Sequence, residues 1–173
     1  SAGTTPQTVI FGANPENGTV NGLDADAGVD LTFAEIEKVL TGTGNDTVDG
    51  GAATGPIDVN TGAGNDSVNG GAGNDTVAAG TGDDTIAAGA GNDSIVANLG
   101  NDVIYGGTGD DTAFGGTGDD WANLGEGNDS FGTFNADSEG NDTVYGDAGA
   151  DYIICGGQND VLYGGAGNDT LSG

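Results

Sequence analysis

The chain has 173 residues, 38 of them glycine, and 28 acidic residues against one basic residue give it a formal net charge of −27 at pH 7. So negative a chain is unsuited to nucleic acid or anionic lipid, and it has no run that is long and apolar enough to enter a membrane. Without histidine, and with one lysine and one cysteine, it cannot assemble the usual nucleophile and base pairs, so we expect no enzymatic activity.

Residues 1–40 are expected to form an N-terminal capping segment. TVIFG at 8–12 is typical of a short strand, and PENG at 15–18 and GLDADAG at 22–28 are typical of turns. LTFAEIEKVL at 31–40 fits a short amphipathic helix, but it also fits a degenerate first unit of the repeats that follow. We favour the repeat unit because its valine falls nine residues before the valine of the next unit, and such a unit would shield an open edge.

From residue 41 to 173 a nine-residue phrase recurs: a glycine-rich loop, an aspartate, Thr or Ser, and then an apolar residue. One inward-facing side chain per nine residues predicts strands, whereas a helix would need apolar residues three and four apart. Self-similarity at a fixed period marks a solenoid, whose units bury their apolar residues only against neighbouring units. The aspartates, called row aspartates below, are Asp46, Asp66, Asp75, Asp84, Asp93, Asp102, Asp111, Asp120, Asp129, Asp142, Asp151, Asp160 and Asp169.

The period is interrupted near residues 50–58. The step from Asp46 to Asp66 is twenty residues, and Ile57 stands where an aspartate is expected, so this unit should lack a ligand. Asp58 is adjacent to that position, but alternation along a strand should point its side chain to the other face.

A second interruption lies near residues 132–136, because the step from Asp129 to Asp142 is thirteen and four residues should bulge out. Two other loops carry a different residue in a glycine position, Asn98 and Gln158. Asparagine tolerates the left-handed conformation, so the loop with Asn98 should keep its shape.

The phrases GGAGNDTVA at 70–78 and GGTGDDTAF at 106–114 resemble the glycine-rich nonapeptide of the RTX calcium-binding β-roll family, over about residues 41–173. This resemblance implies an all-β fold, a parallel β-roll or right-handed β-solenoid with two nine-residue units per turn. It also implies that each ion lies between a loop and the equivalent loop one turn later, so ligand pairs stand eighteen residues apart. One row would run from Asp46 through Asp66, Asp84, Asp102, Asp120 and Asp142 to Asp160, and the other from Asp75 through Asp93, Asp111, Asp129 and Asp151 to Asp169. Six neighbouring pairs in one row and five in the other make eleven ions the upper bound.

The loops offer only hard oxygen ligands, since glycines let the backbone take positive φ and let carbonyl oxygens crowd around an ion. Calcium takes six to eight oxygens, whereas zinc and copper favour His or Cys, and magnesium needs stricter geometry. We therefore expect Ca²⁺ as the cofactor, held by the row aspartates and by loop glycines. The glycines are Gly64, Gly71, Gly73, Gly80, Gly82, Gly89, Gly91, Gly100, Gly107, Gly109, Gly116, Gly118, Gly165 and Gly167.

Charge supports the same cofactor. Eleven divalent ions would add +22 to the formal −27 and leave about −5, an ordinary charge for a small domain. Without metal, an acidic, glycine-rich chain has too little apolar area to offset the entropy of ordering, so we expect folding and calcium binding to be one equilibrium. The alternative is an acidic spacer that stays disordered.

Six aromatic residues flank the inward positions, and alternation should point them outwards. They would pack against the inserted segment or a neighbouring module, or else form a face for a partner or carbohydrate. They are Tyr105, Phe114, Trp121, Tyr145, Tyr152 and Tyr163.

The sequence predicts a structural module that folds on Ca²⁺ binding outside the cell and acts as a rigid spacer or assembly unit of a surface, filament or adhesin-type protein. The resemblance implies bacterial export by a one-step, type I system. A C-terminal secretion and folding module of a secreted hydrolase or toxin is one alternative, and a polysaccharide-binding module is another. Besides calcium ions, the expected partners are neighbouring domains of a longer chain or further copies stacked end to end.

Overall fold

The computed structural model of the chain describes residues 8–10, 19–21, 29–30, 38–51, 53–132 and 140–173, the first three ranges as backbone only. The predicted turns at 15–18 and 22–28 and residues 31–37 of the helix alternative lie outside the described residues, as does most of the second interruption. The strands are β1 (Thr8–Ile10), β2 (Thr19–Asn21), β3 (Val29–Asp30), β4 (Lys38–Thr43), β5 (Thr47–Asp49), β6 (Asp58–Ala63), β7 (Ser67–Ala72), β8 (Thr76–Thr81), β9 (Thr85–Ala90), β10 (Ser94–Leu99), β11 (Val103–Thr108), β12 (Thr112–Thr117), β13 (Trp121–Glu126), β14 (Ser130–Gly132), β15 (Thr143–Ala148), β16 (Tyr152–Ile154), β17 (Val161–Tyr163) and β18 (Thr170–Ser172).

These strands form two parallel nine-stranded sheets, and the chain alternates between the sheets from β4 onwards. The first sheet has the order β1-β4-β6-β8-β10-β12-β14-β16-β18, and the second has the order β17-β15-β13-β11-β9-β7-β5-β2-β3. Ser94 pairs with Thr76 on one side and with Thr112 on the other, which is a step of eighteen residues each way. The fold is therefore the predicted one, a right-handed parallel β-roll with two nine-residue units per turn.

Each regular strand has two positions that face the core, where the sequence predicted one. In β8, Val77 and Ala79 are fully buried while Thr76 points outwards. The second inward position was overlooked because it usually holds alanine or glycine, which carry little apolar signal. At Gly106 no side chain fits, because an added Cβ would come within 2.6 Å of the Asp111 Oδ2 atom, whereas β13 places the fully buried Leu124 at the same position.

The interruptions appear as longer steps between paired strands. Lys38 pairs with Asp58, a step of twenty residues, and Trp121 pairs with Thr143, a step of twenty-two. Asp58 points outwards, as predicted, and its Oδ2 atom lies 2.5 Å from the Lys38 Nζ atom. The roll therefore absorbs the extra residues in its loops without losing strand register.

The last three residues of the ambiguous segment 31–40 belong to β4. Val39 is fully buried and pairs with Val59 of the next strand of its sheet. Over these residues the strand interpretation holds and the helix alternative is wrong. No helix that could span a membrane occurs in the part of the chain that the structure describes.

Candidate metal centre

The row aspartates end the loops that connect the two sheets. Loops leading from the first sheet to the second form the first edge, with Asp46, Asp66, Asp84, Asp102, Asp120, Asp142 and Asp160. Loops leading back form the second edge, with Asp75, Asp93, Asp111, Asp129, Asp151 and Asp169. Because every loop is followed by a strand in register with the strand one turn away, equivalent aspartates stack directly above one another.

A ladder of hydrogen bonds joins neighbouring aspartates within each row. The backbone N–H of Asp84, for example, donates to Oδ1 of Asp102 at 2.8 Å, and the N–H of Asp93 donates to Oδ1 of Asp111 at 2.9 Å. Eleven such bonds link the row aspartates, with lengths of 2.7 to 3.1 Å. They join the same eleven neighbouring pairs that the sequence grouped by register.

Ile57 begins the second row in place of an aspartate. Its N–H donates to Oδ1 of Asp75 at 2.9 Å, while its side chain is buried with the core. This loop therefore has the same backbone position but supplies no carboxylate, in agreement with its sequence.

In ten of the row aspartates the second carboxylate oxygen, Oδ2, is buried and lacks a hydrogen bond. This holds for Oδ2 of Asp66, Asp75, Asp84, Asp93, Asp102, Asp111, Asp120, Asp129, Asp151 and Asp160. A buried, charged acceptor without a partner costs several kcal/mol, roughly, unless a cation or a proton neutralises it. Neutralising these ten oxygen atoms along the two edges takes ten positive charges, supplied by cations or by protons.

Burial raises the pKa of these carboxyl groups. Desolvation is the largest cause and neighbouring row aspartates add to it, while the ladder hydrogen bond acts in the opposite direction. The pKa rises to about 7 for Asp84, Asp111 and Asp120, and it rises to about 6 for Asp75, Asp102 and Asp129. Without a cation, the folded roll therefore takes up protons near neutral pH.

Glycine carbonyl oxygens line the same edges. Gly80 and Gly82 have φ of 116° and 123°, in the left-handed region, so their loop turns tightly. A Cβ at Gly80 would collide with the carbonyl oxygen of Gly62, and a Cβ at Gly82 with that of Gly64. Carbonyl oxygens of one turn thus point along the roll at the equivalent loop of the next turn.

The donor set fits calcium. Among the described residues no three acidic or cysteine side chains converge on one point, so backbone oxygens or water would complete a coordination sphere. Two carboxylates from neighbouring turns, together with glycine carbonyls from both loops, offer the hard oxygens that Ca²⁺ prefers in its six to eight positions. Nothing in these loops offers the nitrogen or sulfur ligands that favour zinc or copper.

All fourteen glycines chosen from the sequence have positive φ, between 94° and 149°. Seven further glycines that were not predicted from the sequence have the same conformation: Gly42, Gly44, Gly62, Gly125, Gly127, Gly149 and Gly156. The same loop positions would have identified them. Asn98 has φ of 85°, as predicted for its glycine position, and Gln158 and Asp147 also take positive φ, at 86° and 70°.

A second ladder, which the sequence analysis also missed, runs outside the first. It is formed by the residue immediately before each row aspartate, called the rung residue below. The N–H of Asn101 donates to Oδ1 of Asp83 at 2.9 Å, and the N–H of Asp119 donates to Oδ1 of Asn101 at 2.8 Å. Ten such bonds of 2.7 to 3.3 Å are present. The signal was visible in the sequence, because almost every row aspartate follows Asn or Asp.

The two ladders run in opposite directions. A row aspartate accepts from the preceding turn, whereas a rung residue accepts from the following turn. Hydrogen bonds from Asn128 and Asn141 to the exposed rung carboxylates lower the pKa of Asp110 and Asp119. Inner and outer carboxyl groups of one loop are therefore driven apart in pKa.

Four of the six predicted outward aromatics form one stack across the second sheet. Ring centroids are 5.2 Å apart for Tyr105 and Trp121, 5.8 Å for Trp121 and Tyr145, and 4.6 Å for Tyr145 and Tyr163. The last pair is stacked nearly parallel, at 6°. Only Tyr145 and Tyr163 therefore contact through their flat faces, and Tyr105 and Tyr163 stay about half exposed, at 45% and 51%.

Cys155 lies in the second inward position, directly after β16. Its side chain is buried, and burial raises the pKa of the thiol to about 12, with nearby row aspartates adding to the shift. Most other units have glycine or alanine at this position, and β13 has leucine.

Comparison with known protein families gives one match. The model of the RTX calcium-binding nonapeptide repeat (4 copies) matches residues 34–54, 59–86, 78–113, 96–131 and 137–171. Neither the comparison with curated proteins nor that with solved structures finds a match. The matched segments contain every row aspartate and cover well over half of the chain. The chain therefore belongs to the RTX calcium-binding nonapeptide repeat family, and its stacked units form a calcium-binding β-roll.

Proposed function

We propose that this chain is a calcium-dependent structural module, unfolded where calcium is scarce and folded outside the cell. The observation that carries the proposal is the set of ten row aspartates along the two edges whose Oδ2 atom is buried without a hydrogen bond. At neutral pH these carboxylates repel one another across neighbouring turns, so the roll needs a cation at each pair of loops. Extracellular calcium, at the millimolar level, suits weak sites of this type.

In this proposal the folded roll is a rigid spacer or assembly unit of a surface, filament or adhesin-type protein. Nine strands at about 4.8 Å spacing give a rod of about 40 Å. Its two edges are fastened by metal and its core by stacked aliphatic side chains, so the rod has little freedom to bend. Such a shape serves to hold other parts of a protein apart.

The test is a calcium titration of the full chain followed by far-UV circular dichroism, with magnesium as the control and a chelator to reverse the change. We expect a cooperative transition from coil to sheet with calcium, and small-angle scattering should then fit a rod of about 40 Å. An equal response to magnesium, or no response to either ion, would refute calcium-coupled folding. A compact folded chain that does not fit a rod would refute the spacer role alone.

A further inference from the structure

We propose that the rung residue tunes the calcium affinity of each turn, and that the three charged rungs, Asp83, Asp110 and Asp119, mark the turns that bind calcium most tightly. The proposal rests on the proposed calcium function and adds to it a graded affinity along the roll. It assigns a role to residues that the pairing of row aspartates leaves unused.

The outer ladder holds the three charged rung residues in place. Asp83 donates its N–H to Oδ1 of Asn65 at 3.2 Å and accepts the N–H of Asn101 at 2.9 Å. Asp110 likewise donates to Asn92 at 3.1 Å and accepts from both the N–H and the Nδ2 atom of Asn128, at 2.8 and 3.0 Å. A rung carboxylate is thereby fixed one residue away from a buried row carboxylate, on the solvent side of the loop.

The ladder accepts Asp and Asn equally well. Asn92 and Asn101 receive the same bond through Oδ1 as Asp110 and Asp119 do. The two side chains have nearly the same size, so exchanging them changes the charge beside the ion and little else. Because a Ca²⁺ site gains affinity with the number of negative charges around it, the rung residue is suited to set affinity without disturbing the fold.

Charged rungs are also kept apart. On the first edge Asn101 separates Asp83 from Asp119, and on the second edge Asp110 lies between Asn92 and Asn128. Neighbouring rungs are one strand spacing apart, about 4.8 Å, where two fixed carboxylates would repel each other. No two charged rungs are adjacent in either file of described loops, which lets each one act on the turns beside it.

The three charged rungs all lie in the central turns, around β9 to β13. If they strengthen binding there, calcium fills the middle of the roll first and the terminal turns last. The roll would then grow from its centre as calcium rises, and its ends would respond over a higher range of calcium concentration.

The test compares Asp110→Asn with wild type in the full chain, by calcium titration calorimetry at low and at high ionic strength. Asp49→Asn is the matched control, because Asp49 Oδ1 also accepts a backbone N–H, from Gly51, and an amide, from Asn69, both at 3.0 Å, but lies at the end of β5 instead of in a row loop. Removing the rung charge should weaken the adjoining sites about threefold at low salt and less at high salt. The reverse change, Asn74→Asp, should strengthen binding by a similar factor.

Hydrogen exchange at partial calcium saturation supplies a second readout. Amides of β9 to β13 should be protected before those of the terminal strands in wild type, and this order should fade in the variant with all three rung aspartates changed to asparagine. The proposal fails if Asp110→Asn binds as wild type does, or if Asp49→Asn weakens binding equally. A wild-type chain that neither binds calcium nor gains protection would overturn the proposed function itself.

Discussion

Replacing one central row aspartate, Asp111→Asn, should remove two calcium ions while leaving the fold in place. Asp111 pairs with Asp93 and with Asp129: its Oδ1 accepts from Asp93 at 2.9 Å, and its own N–H donates to Asp129 at 2.8 Å. Asparagine keeps the volume and the Oδ1 acceptor, so the ladder survives. The buried negative charge that would hold an ion on each side is lost.

The cost follows from linkage. An ion present at one hundred times its dissociation constant stabilises the folded state by about 2.7 kcal/mol, so losing two ions costs about 5 kcal/mol under that condition. This is comparable with the whole stability of many domains, about 5–15 kcal/mol. In chelator the loss of stability caused by Asp111→Asn should vanish or reverse. Burial and the charges of Asp93 and Asp129 raise the pKa of Asp111 to about 7, so its buried negative charge is unfavourable without calcium, and the asparagine amide removes that charge.

The assay is urea unfolding at calcium concentrations from about 0.1 to 10 mM, around the range of weak extracellular sites. The slope of the unfolding free energy against RT ln[Ca²⁺] counts the ions bound on folding, and it should fall by about two in the variant. Asp58→Asn is the control, since Asp58 lies on the outer face beside Lys38. Equal slopes for Asp111→Asn and wild type would contradict the placement of ions between row aspartates.

Three further outcomes are expected. Gly80→Ala should lower the unfolding free energy in calcium by more than about 2 kcal/mol, because φ at Gly80 is 116° and the new Cβ would collide with the Gly62 carbonyl oxygen. Gly132→Ala should be tolerated, because its Cβ would have only the Phe114 ring nearby, at 3.5 Å; urea midpoints check both variants. Ile104→Ala should cost about 2–5 kcal/mol by the same assay, against little for Thr85→Ala on the outer face, and equal losses would contradict the core assignment. Three row aspartates have a pKa raised to about 7 from 3.8, so the folded state binds protons more tightly than the unfolded chain does. Without calcium, folding should therefore become less unfavourable as pH falls from about 7 towards 3.8; circular dichroism in chelator should show more sheet at lower pH, and a coil spectrum that does not change over this range would contradict the reasoning.

The repeat made much of the fold predictable. Aspartates nine residues apart, each followed by an apolar residue, specified strand positions from Val48 to Leu171, and the structure has a strand at each. The backbone conformation of the loops could also be predicted, because few residue types adopt positive φ. Glycine in a fixed loop position predicted positive φ, and Asn98 predicted it too, because asparagine tolerates that conformation at low cost.

Other features could not be predicted from the sequence because they depend on contacts with the neighbouring turn. The second inward position holds small residues such as Ala79, whose burial comes from the opposite sheet and leaves no periodic apolar signal. The outer ladder of rung residues was overlooked because its hydrogen bonds join residues eighteen or more positions apart, and an exposed Asn or Asp before an aspartate has no meaning until the loops are stacked.

The sequence by itself determined the period, the all-β class and the supply of oxygen ligands, because these depend on residue type and spacing within one unit. Only the tertiary structure decided which carboxylate oxygens are buried without a partner, and in which direction each ladder runs. Those properties belong to the contact between one turn and the next. A single nine-residue unit contains the aspartate, the glycines and the rung residue, but it takes two stacked units to bring their oxygens together around a cation.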